Sequence, residues 1–205
     1  MVEKKILRKN DFLKRAFIRV RNFMSWGLLL SLAACAGNGA DMYRDPNMDF
    51  GAVRNVAVMP FVNLSRDQAA DERVRDVFIT ALLATGAVYV IPPGEVAKGI
   101  GLAGIVNPGA PSTDEIKKLA ALIKTEAVIT GVVKEYGDVR SGTATANVIS
   151  VSLQMVEAQT GRVVWSATTT KGGIGMKDRL LGGGGEPMNT ITLEAVHDLI
   201  NQLFD

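Results

Sequence analysis

The sequence predicts an α/β domain of the α+β kind, with one mixed sheet of about five strands and helices packed on it. A continuous apolar run at residues 56–59 is typical of a strand buried on both faces, and residues 127–133 predict another buried strand. Residues 149–155 alternate apolar and polar side chains, and a turn at residues 159–162 leads to a similar segment at 163–167. This pattern predicts an antiparallel hairpin. The predicted order is β-α-β-(α)-α-β-β-β-α, where the bracketed helix is the weakest.

The first half of the domain is predicted as a strand, a helix and a second strand. The first strand lies within residues 53–61. The helix follows a capping pattern at residues 65–68, Ser-Arg-Asp-Gln, and ends before Gly86, a residue suited to a helix end. Residues 88–91 are β-branched, aromatic or apolar and are followed by two prolines, which predicts a short strand.

The second half begins with a short helix at residues 95–98 and a loop rich in glycine and proline at residues 99–112. A second capping pattern, Ser-Thr-Asp-Glu at residues 112–115, predicts a helix start. Trp165 lies on the apolar face of its strand, which predicts a core position. The last helix carries an apolar stripe formed by Ile191, Ala195, Val196, Leu199, Ile200, Leu203 and Phe204.

The amino-terminal region has the layout of a secretory signal. Eight Lys and Arg residues precede an apolar run at residues 26–34. That run of about nine residues is shorter than the roughly 20 that a membrane-spanning helix needs. Its Leu-Ala-Ala-Cys end resembles the lipobox of bacterial lipoproteins, which implies cleavage between Ala34 and Cys35 and lipid on Cys35. Translation starts at Met1 or at Met24, and a start at Met24 would remove the basic residues.

Cleavage at this point predicts three parts: a signal peptide (residues 1–34), a lipidated cysteine with a linker (35–52) and a domain (53–205). Eight of the 23 Lys and Arg residues precede Cys35, but only two of the 21 Asp and Glu residues do. Residues 35–205 therefore carry a formal net charge of −4, which argues against a basic nucleic-acid footprint. Cys35 is the only cysteine, so its acylation would leave no thiol for a disulfide.

No motif in the sequence predicts catalysis, a metal or a bound cofactor other than the lipid on Cys35. Residues 99–104 match G-x-G-x-x-G, but a dinucleotide site needs a strand before the motif and a helix opening within it. His197 is the only histidine and falls on the polar side of the last helix. We therefore expect a non-enzymatic protein.

The segment at residues 171–187 is the candidate contact loop. A glycine-rich loop of this length that carries apolar side chains is unusual in a small domain. It predicts either a partner-binding or subunit-contact loop, or a loop packed on its own domain. The candidate contact residues are Ile174, Met176, Lys177, Asp178, Arg179, Leu180 and Leu181.

Three segments together resemble the CsgG family of bacterial envelope lipoproteins, with relatives among the LpoB-type synthase activators and the TolB amino-terminal domain. They are residues 55–64, Asn-Val-Ala-Val-Met-Pro-Phe-Val-Asn-Leu, residues 89–91, and residues 127–131 with 151–165. The resemblance implies a periplasmic domain of the anticodon-binding-like type, with no catalytic residues to assign. It also implies the outer membrane rather than the inner membrane, because Ala36, and not an aspartate, follows Cys35.

The resemblance implies a lipid-anchored protein that supports an envelope assembly or secretion complex through protein contacts, with a homo-oligomer as one form of contact. The alternative is a tethered activator of a cell-wall synthase, although the short linker with one proline, Pro46, disfavours a long reach. A pore is not expected. Residues 92–112, 137–146 and 171–187 lack the roughly 9–11 alternating residues of a membrane strand.

Overall fold

One mixed sheet of seven strands and four helices make up the described part of the computed structural model, which covers residues 42–142, 144–174 and 185–204. The strands are β1 (Met42–Arg44), β2 (Asn55–Val58), β3 (Val62–Asn63), β4 (Tyr89–Val90), β5 (Ala127–Ser141), β6 (Ala144–Glu157) and β7 (Val163–Gly172). The helices are α1 (Ala70–Thr85), α2 (Pro93–Ala103), α3 (Thr113–Ile123) and α4 (Met188–Phe204). The predicted fold class is confirmed.

The strand order is β1-β7-β6-β5-β2-β4, and β3 pairs with β5 beyond the end of β2. β4, β2, β3 and β5 pair in parallel, whereas β5, β6, β7 and β1 pair antiparallel. The predicted hairpin is the β6–β7 pair, in which Leu153 lies opposite Ala167. The mixed sheet therefore joins a parallel half at one edge to an antiparallel half at the other.

Helices lie on both faces of this sheet, and the apolar cluster on one face is larger than the cluster on the other. α1 and α4 bury their apolar sides against one face together with Ile129, Val151 and Trp165. α2 and α3 form a smaller cluster on the other face with Ala57 and Val128. The predicted stripe of the last helix is confirmed except for Phe204, which is 41% exposed.

The predicted linker is wrong for residues 42–52, which belong to the folded domain. β1 pairs with β7, placing Met42 opposite Ala167. Asp45 is buried and accepts a hydrogen bond from Arg162, with an Nη2–Oδ2 distance of 3.2 Å. Sequence reasoning missed β1 because three residues are too few to show alternation, and an ion pair 117 residues apart along the chain holds the segment in place.

The first predicted strand is interrupted. β2 ends at Val58, and β3 resumes at Val62 after Pro60, which has no N–H to donate to a ladder. The capping pattern at residues 65–68 does not start a helix, because α1 begins at Ala70. Ser65 instead donates its hydroxyl to the side-chain oxygen of Asn63 at 2.7 Å. By contrast, the predicted capping box at Ser112 and Glu115 is confirmed at the start of α3.

The predicted loop at residues 99–112 is wrong up to residue 103, because α2 continues to Ala103 and ends at Gly104, where φ is 73°. Glycine at position 99 lets α2 approach α3 closely. A Cβ built on Gly99 would lie 2.5 Å from Cγ2 of Ile123 and 2.8 Å from Cδ1 of Leu119. Gly99 therefore serves helix packing and Gly104 ends the helix, so this segment is not a dinucleotide loop.

β5 and β6 form a second, long hairpin that the sequence analysis does not predict. The two strands pair from Ala127 opposite Glu157 to Ser141 opposite Ala144, with an irregularity between Val133 and Glu135. Both strands extend beyond the predicted segments at residues 127–133 and 149–155. β7 also continues to Gly172, which shortens the predicted loop at residues 171–187.

Two glycines of α2 give a matched test of this packing. Gly99→Ala should destabilise the protein by roughly 1–2 kcal/mol, because overpacking outweighs the gain in helix propensity. Gly101→Ala should stabilise it by about 0.5–1 kcal/mol, because nothing lies within 4 Å of the added methyl group. Urea unfolding followed by circular dichroism measures both. Equal effects of the two variants would contradict the role assigned to Gly99.

Candidate functional site

Part of the second sheet face carries no helix among the described residues. α2 and α3 pack over β2, the start of β5 and the end of β6, where Val156 belongs to their cluster. Alternation along the strands places eight further residues on this same face, because their neighbours Ile129, Leu153 and Trp165 point to the other. We call these eight the open face: Thr130, Val132, Ser150, Ser152, Gln154, Ser166, Thr168 and Thr170.

The eight residues of the open face are uncharged, and Glu135, which lies opposite Ser150, is an acidic residue at the end of the same face. Ser152 Oγ and Thr168 Oγ1 are 2.6 Å apart, and Thr170 donates to Ser150 at 2.9 Å. These hydroxyl pairs cross between β6 and β7 and satisfy one another. No residue of the open face is charged, although Asp, Glu, Lys and Arg make up 21% of the chain. Depletion of charge marks the centre of protein–protein interfaces, so the open face is the best candidate contact surface.

A cavity of about 300 Å³ lies at one end of the open face. The loop before α3 forms its wall at Gly109 and Pro111, and Thr130 and Gln154 form part of its floor. None of its lining side chains titrates near neutral pH. The cavity can therefore accept a side chain or a small polar group, but it offers no general acid or base.

A larger depression of about 540 Å³ lies between residues 47–53 and α3. Three acidic residues line it: Asp49, Glu126 and Glu157. The Glu126 carboxylate accepts hydrogen bonds from the backbone amides of Arg54 and Asn55. This carboxylate therefore connects the start of β2 to β5. We assign no catalytic or binding role to the depression.

A metal site within residues 42–142, 144–174 and 185–204 would need several ligating side chains close together. In those ranges no group of three or more His, Cys, Asp or Glu side chains converges. His197 is exposed on α4, as its position in the helical pattern predicts. None of the described helices combines the length and the apolar character needed to cross a membrane.

Most of the residues predicted to make contacts lie outside the described residues. This holds for Ala34 and Cys35, and in the candidate loop for Met176, Lys177, Asp178, Arg179, Leu180 and Leu181. Ile174 is described and is partly exposed.

Asn147, near the start of β6, holds both described ends of the candidate loop. Its carbonyl oxygen accepts from the Gly173 amide at 2.7 Å, and its Nδ2 donates to the Glu186 carbonyl at 2.8 Å. Gly172 has a φ of 79°, and a Cβ there would lie 2.2 Å from the Asn147 oxygen. The loop thus leaves from and returns to one fixed point. Sequence reasoning missed Asn147, because its two partners are distant along the chain.

Asp198 of α4 ties the helix to the end of β7 beside this loop. Its Oδ2 accepts from Thr169 Oγ1 at 2.5 Å and lies 3.2 Å from Lys171 Nζ. Desolvation raises the pKa of Asp198, but the hydrogen bonds from Thr169 and Lys171 and the charge of Lys171 outweigh it. The pKa therefore lies below its ordinary value, and the folded protein favours the carboxylate.

Asn63 is a second residue that sequence reasoning did not assign. Its Nδ2 donates to the Asp67 carbonyl at 2.7 Å and to Asp71 Oδ1 at 3.1 Å, and its Oδ1 accepts from Ser65. One side chain therefore shapes the loop between β3 and α1 and leaves Leu64 exposed at its surface. An asparagine at the end of a strand is a usable signal for such a loop.

The model of a family described as "Putative lipoprotein GNA1162-like" matches residues 49–204. The chain belongs to the GNA1162-like family. No curated protein matches the chain in sequence. The resemblance to the CsgG family stays a prediction, whereas membership of a lipoprotein family agrees with the signal read from residues 1–35.

Solved structures show the same fold. Lipoprotein GNA1162 from Neisseria meningitidis has 20% identity and a TM-score of 0.53, covering 74% of this chain and 98% of that one. The PelC dodecamer from Paraburkholderia phytofirmans has 16% identity and a TM-score of 0.54, covering 80% of this chain and 98% of that one. At these identities the likeness establishes the fold of the GNA1162-like chain and leaves its role to be proposed.

The lowered pKa of Asp198 predicts a pH-dependent contribution to stability. A lowered folded-state pKa stabilises the protein above the unfolded value of about 3.9, and this contribution is lost as the pH falls through the folded value. Asp198→Asn should therefore cost most near neutral pH, and its difference from the unaltered protein should shrink below about pH 4. Urea unfolding across this range measures it.

Glu194→Gln is the control, since Glu194 is an exposed acid on the same helix outside this network. A cost of Asp198→Asn that stayed constant from neutral to acid pH would contradict the assignment.

Proposed function

We propose that this protein is a lipid-anchored, non-enzymatic envelope protein that supports an assembly or secretion complex through protein contacts. The open face carries the proposal. A solvated sheet face usually presents polar and charged side chains, whereas eight neighbouring residues of this face on three strands are neutral and the acidic Glu135 lies only at its end, opposite Ser150.

The proposed anchor is the lipid on Cys35. The Leu-Ala-Ala-Cys sequence after a basic and apolar segment supports it, and so does membership of a lipoprotein family. Several acyl chains would make release from the membrane negligible, since each buried methylene contributes about 0.8 kcal/mol. Ala36 after the cysteine supports the periplasmic face of the outer membrane as the location.

The proposed occupant of the open face is a second copy of this chain. PelC, which shares the fold, is a dodecamer. A sheet face that meets a different surface of the next copy generates a ring when the rotation closes. The cavity at one end of the open face would receive a side chain from that neighbour. The candidate contact loop at residues 171–187 is a second proposed contact, since Asn147 holds Gly173 and Glu186 near its two ends.

The anchor is tested by Cys35→Ser. This variant should be absent from the membrane fraction and should not be labelled by radioactive palmitate, because it lacks the thiol that would be acylated. Cell fractionation and labelling measure both, with Ser31→Ala as a control that leaves the cysteine intact. A Cys35→Ser protein that stays membrane-bound and still supports its envelope complex fully would contradict the proposal.

Self-association through the open face is tested by Gln154→Arg. Gln154 is exposed, so the new charge should leave folding unchanged, whereas burying it in an interface without a partner should be strongly unfavourable. Ala84→Arg places the same charge on an exposed position of α1, on the opposite side of the sheet. Sedimentation velocity should show smaller assemblies for Gln154→Arg only. Identical assemblies for both variants would rule out the open face as the subunit contact.

A further inference from the structure

We infer that the β1 edge of the domain, formed by Met42, Tyr43 and Arg44, lies against the phospholipid headgroups of the membrane that holds the anchor. The inference rests on the proposed lipidation of Cys35, and it adds an orientation: one defined edge of the sheet faces the bilayer.

The short tether is the first argument. Six residues separate Cys35 from Met42. Fully extended, the seven steps from Cys35 to Met42 span at most about 25 Å. β1 therefore lies within about 25 Å of the acylated cysteine.

The width of the sheet is the second argument. β1 and β4 are the two outer strands, and the order β1-β7-β6-β5-β2-β4 places five strand spacings between them. At about 4.8 Å per spacing, the two edges are roughly 24 Å apart. The β4 edge could reach the membrane only if the tether were stretched to its limit. The short tether therefore favours contact between the membrane and the β1 edge rather than the β4 edge.

The side chains of the β1 edge suit a headgroup layer. Met42 and Tyr43 are 51% and 48% exposed although they lie in a paired strand. Arg44 donates to the Leu203 carbonyl at 2.8 Å, which brings the end of α4 with its exposed Phe204 next to β1. Tyrosine and other rings with one polar end favour the boundary between water and lipid.

The charges at this edge do not oppose the contact. Arg162 pairs with Asp45 at 3.2 Å, and Lys171 pairs with Asp198 at 3.2 Å. Asp45 and Asp198 therefore each have a basic partner. The β1 edge combines the exposed Met42 and Tyr43 with the cationic Arg44, and neither of these two carboxylates is left unpaired to be repelled by anionic headgroups.

The test uses the full lipidated protein in phosphatidylcholine vesicles that contain a lipid with a nitroxide spin label on its headgroup. Tyr43→Trp places a fluorophore on the β1 edge. Tyr89→Trp places one on β4, where Tyr89 is 57% exposed, and serves as the matched control. Trp165 is fully buried in both variants and gives the same background.

We expect Tyr43→Trp to lose most of its added fluorescence to the spin-labelled lipid, and its emission to shift to shorter wavelength on attachment. Tyr89→Trp should keep its fluorescence. Equal quenching of the two variants, or quenching of neither, would overturn the inference. A blue shift at Tyr43→Trp without quenching would also overturn it, because a protein neighbour would then cover the edge.

Flotation of the vesicles separates this result from the proposed function. A protein that fails to float is not anchored, so the proposed function fails before the orientation is measured. A protein that floats without quenching at Tyr43→Trp keeps its anchor and disproves only the orientation.

Discussion

The packing of Trp165 joins more parts of this domain than any other contact described. Its ring is fully buried, and its indole N–H donates to the Gln202 carbonyl of α4 at 3.1 Å. Its backbone pairs with Met155 of β6 on one side and with Arg44 of β1 on the other. Trp165 thus connects α4 with β6 and with β1, the first strand of the sheet. Since a buried aromatic ring contributes several kcal/mol, the antiparallel half depends on this position.

The unequal covering of the two sheet faces follows from this arrangement. The longest helices, α1 and α4, pack on the face that contains Trp165, while α2 and α3 cover the parallel strands on the other side. The remaining surface carries serine, threonine and glutamine, whose hydroxyl groups bond across the strands. Such a surface is satisfied without a partner, so the domain can fold before the proposed self-association.

Prediction from the sequence succeeded where a pattern extends over many residues. The buried runs of β2 and β5, the β6–β7 hairpin, the capping box at Ser112 and the stripe of α4 each show their period within one segment. It failed at Gly99, because glycine has a low helix propensity and so predicts a loop. In the structure this glycine lies in α2 and lets the helix pack closely on Leu119 and Ile123 of α3. It failed again at β1 and at Asn147, because the partners of both are far away along the chain.

The sequence by itself determined the net charge of residues 35–205 and the alternation of helices and strands, and it predicts a lipoprotein signal, since each depends on neighbouring residues. Only the tertiary structure decided which part of the second sheet face carries no helix among the described residues, where the described ends of the candidate loop are held and which strands form the edges of the sheet. These properties depend on residues brought together from distant positions: Asp45 with Arg162, Asn147 with Gly173 and Glu186, and Trp165 with Gln202. No local pattern encodes such pairs, and they place the proposed contact surfaces.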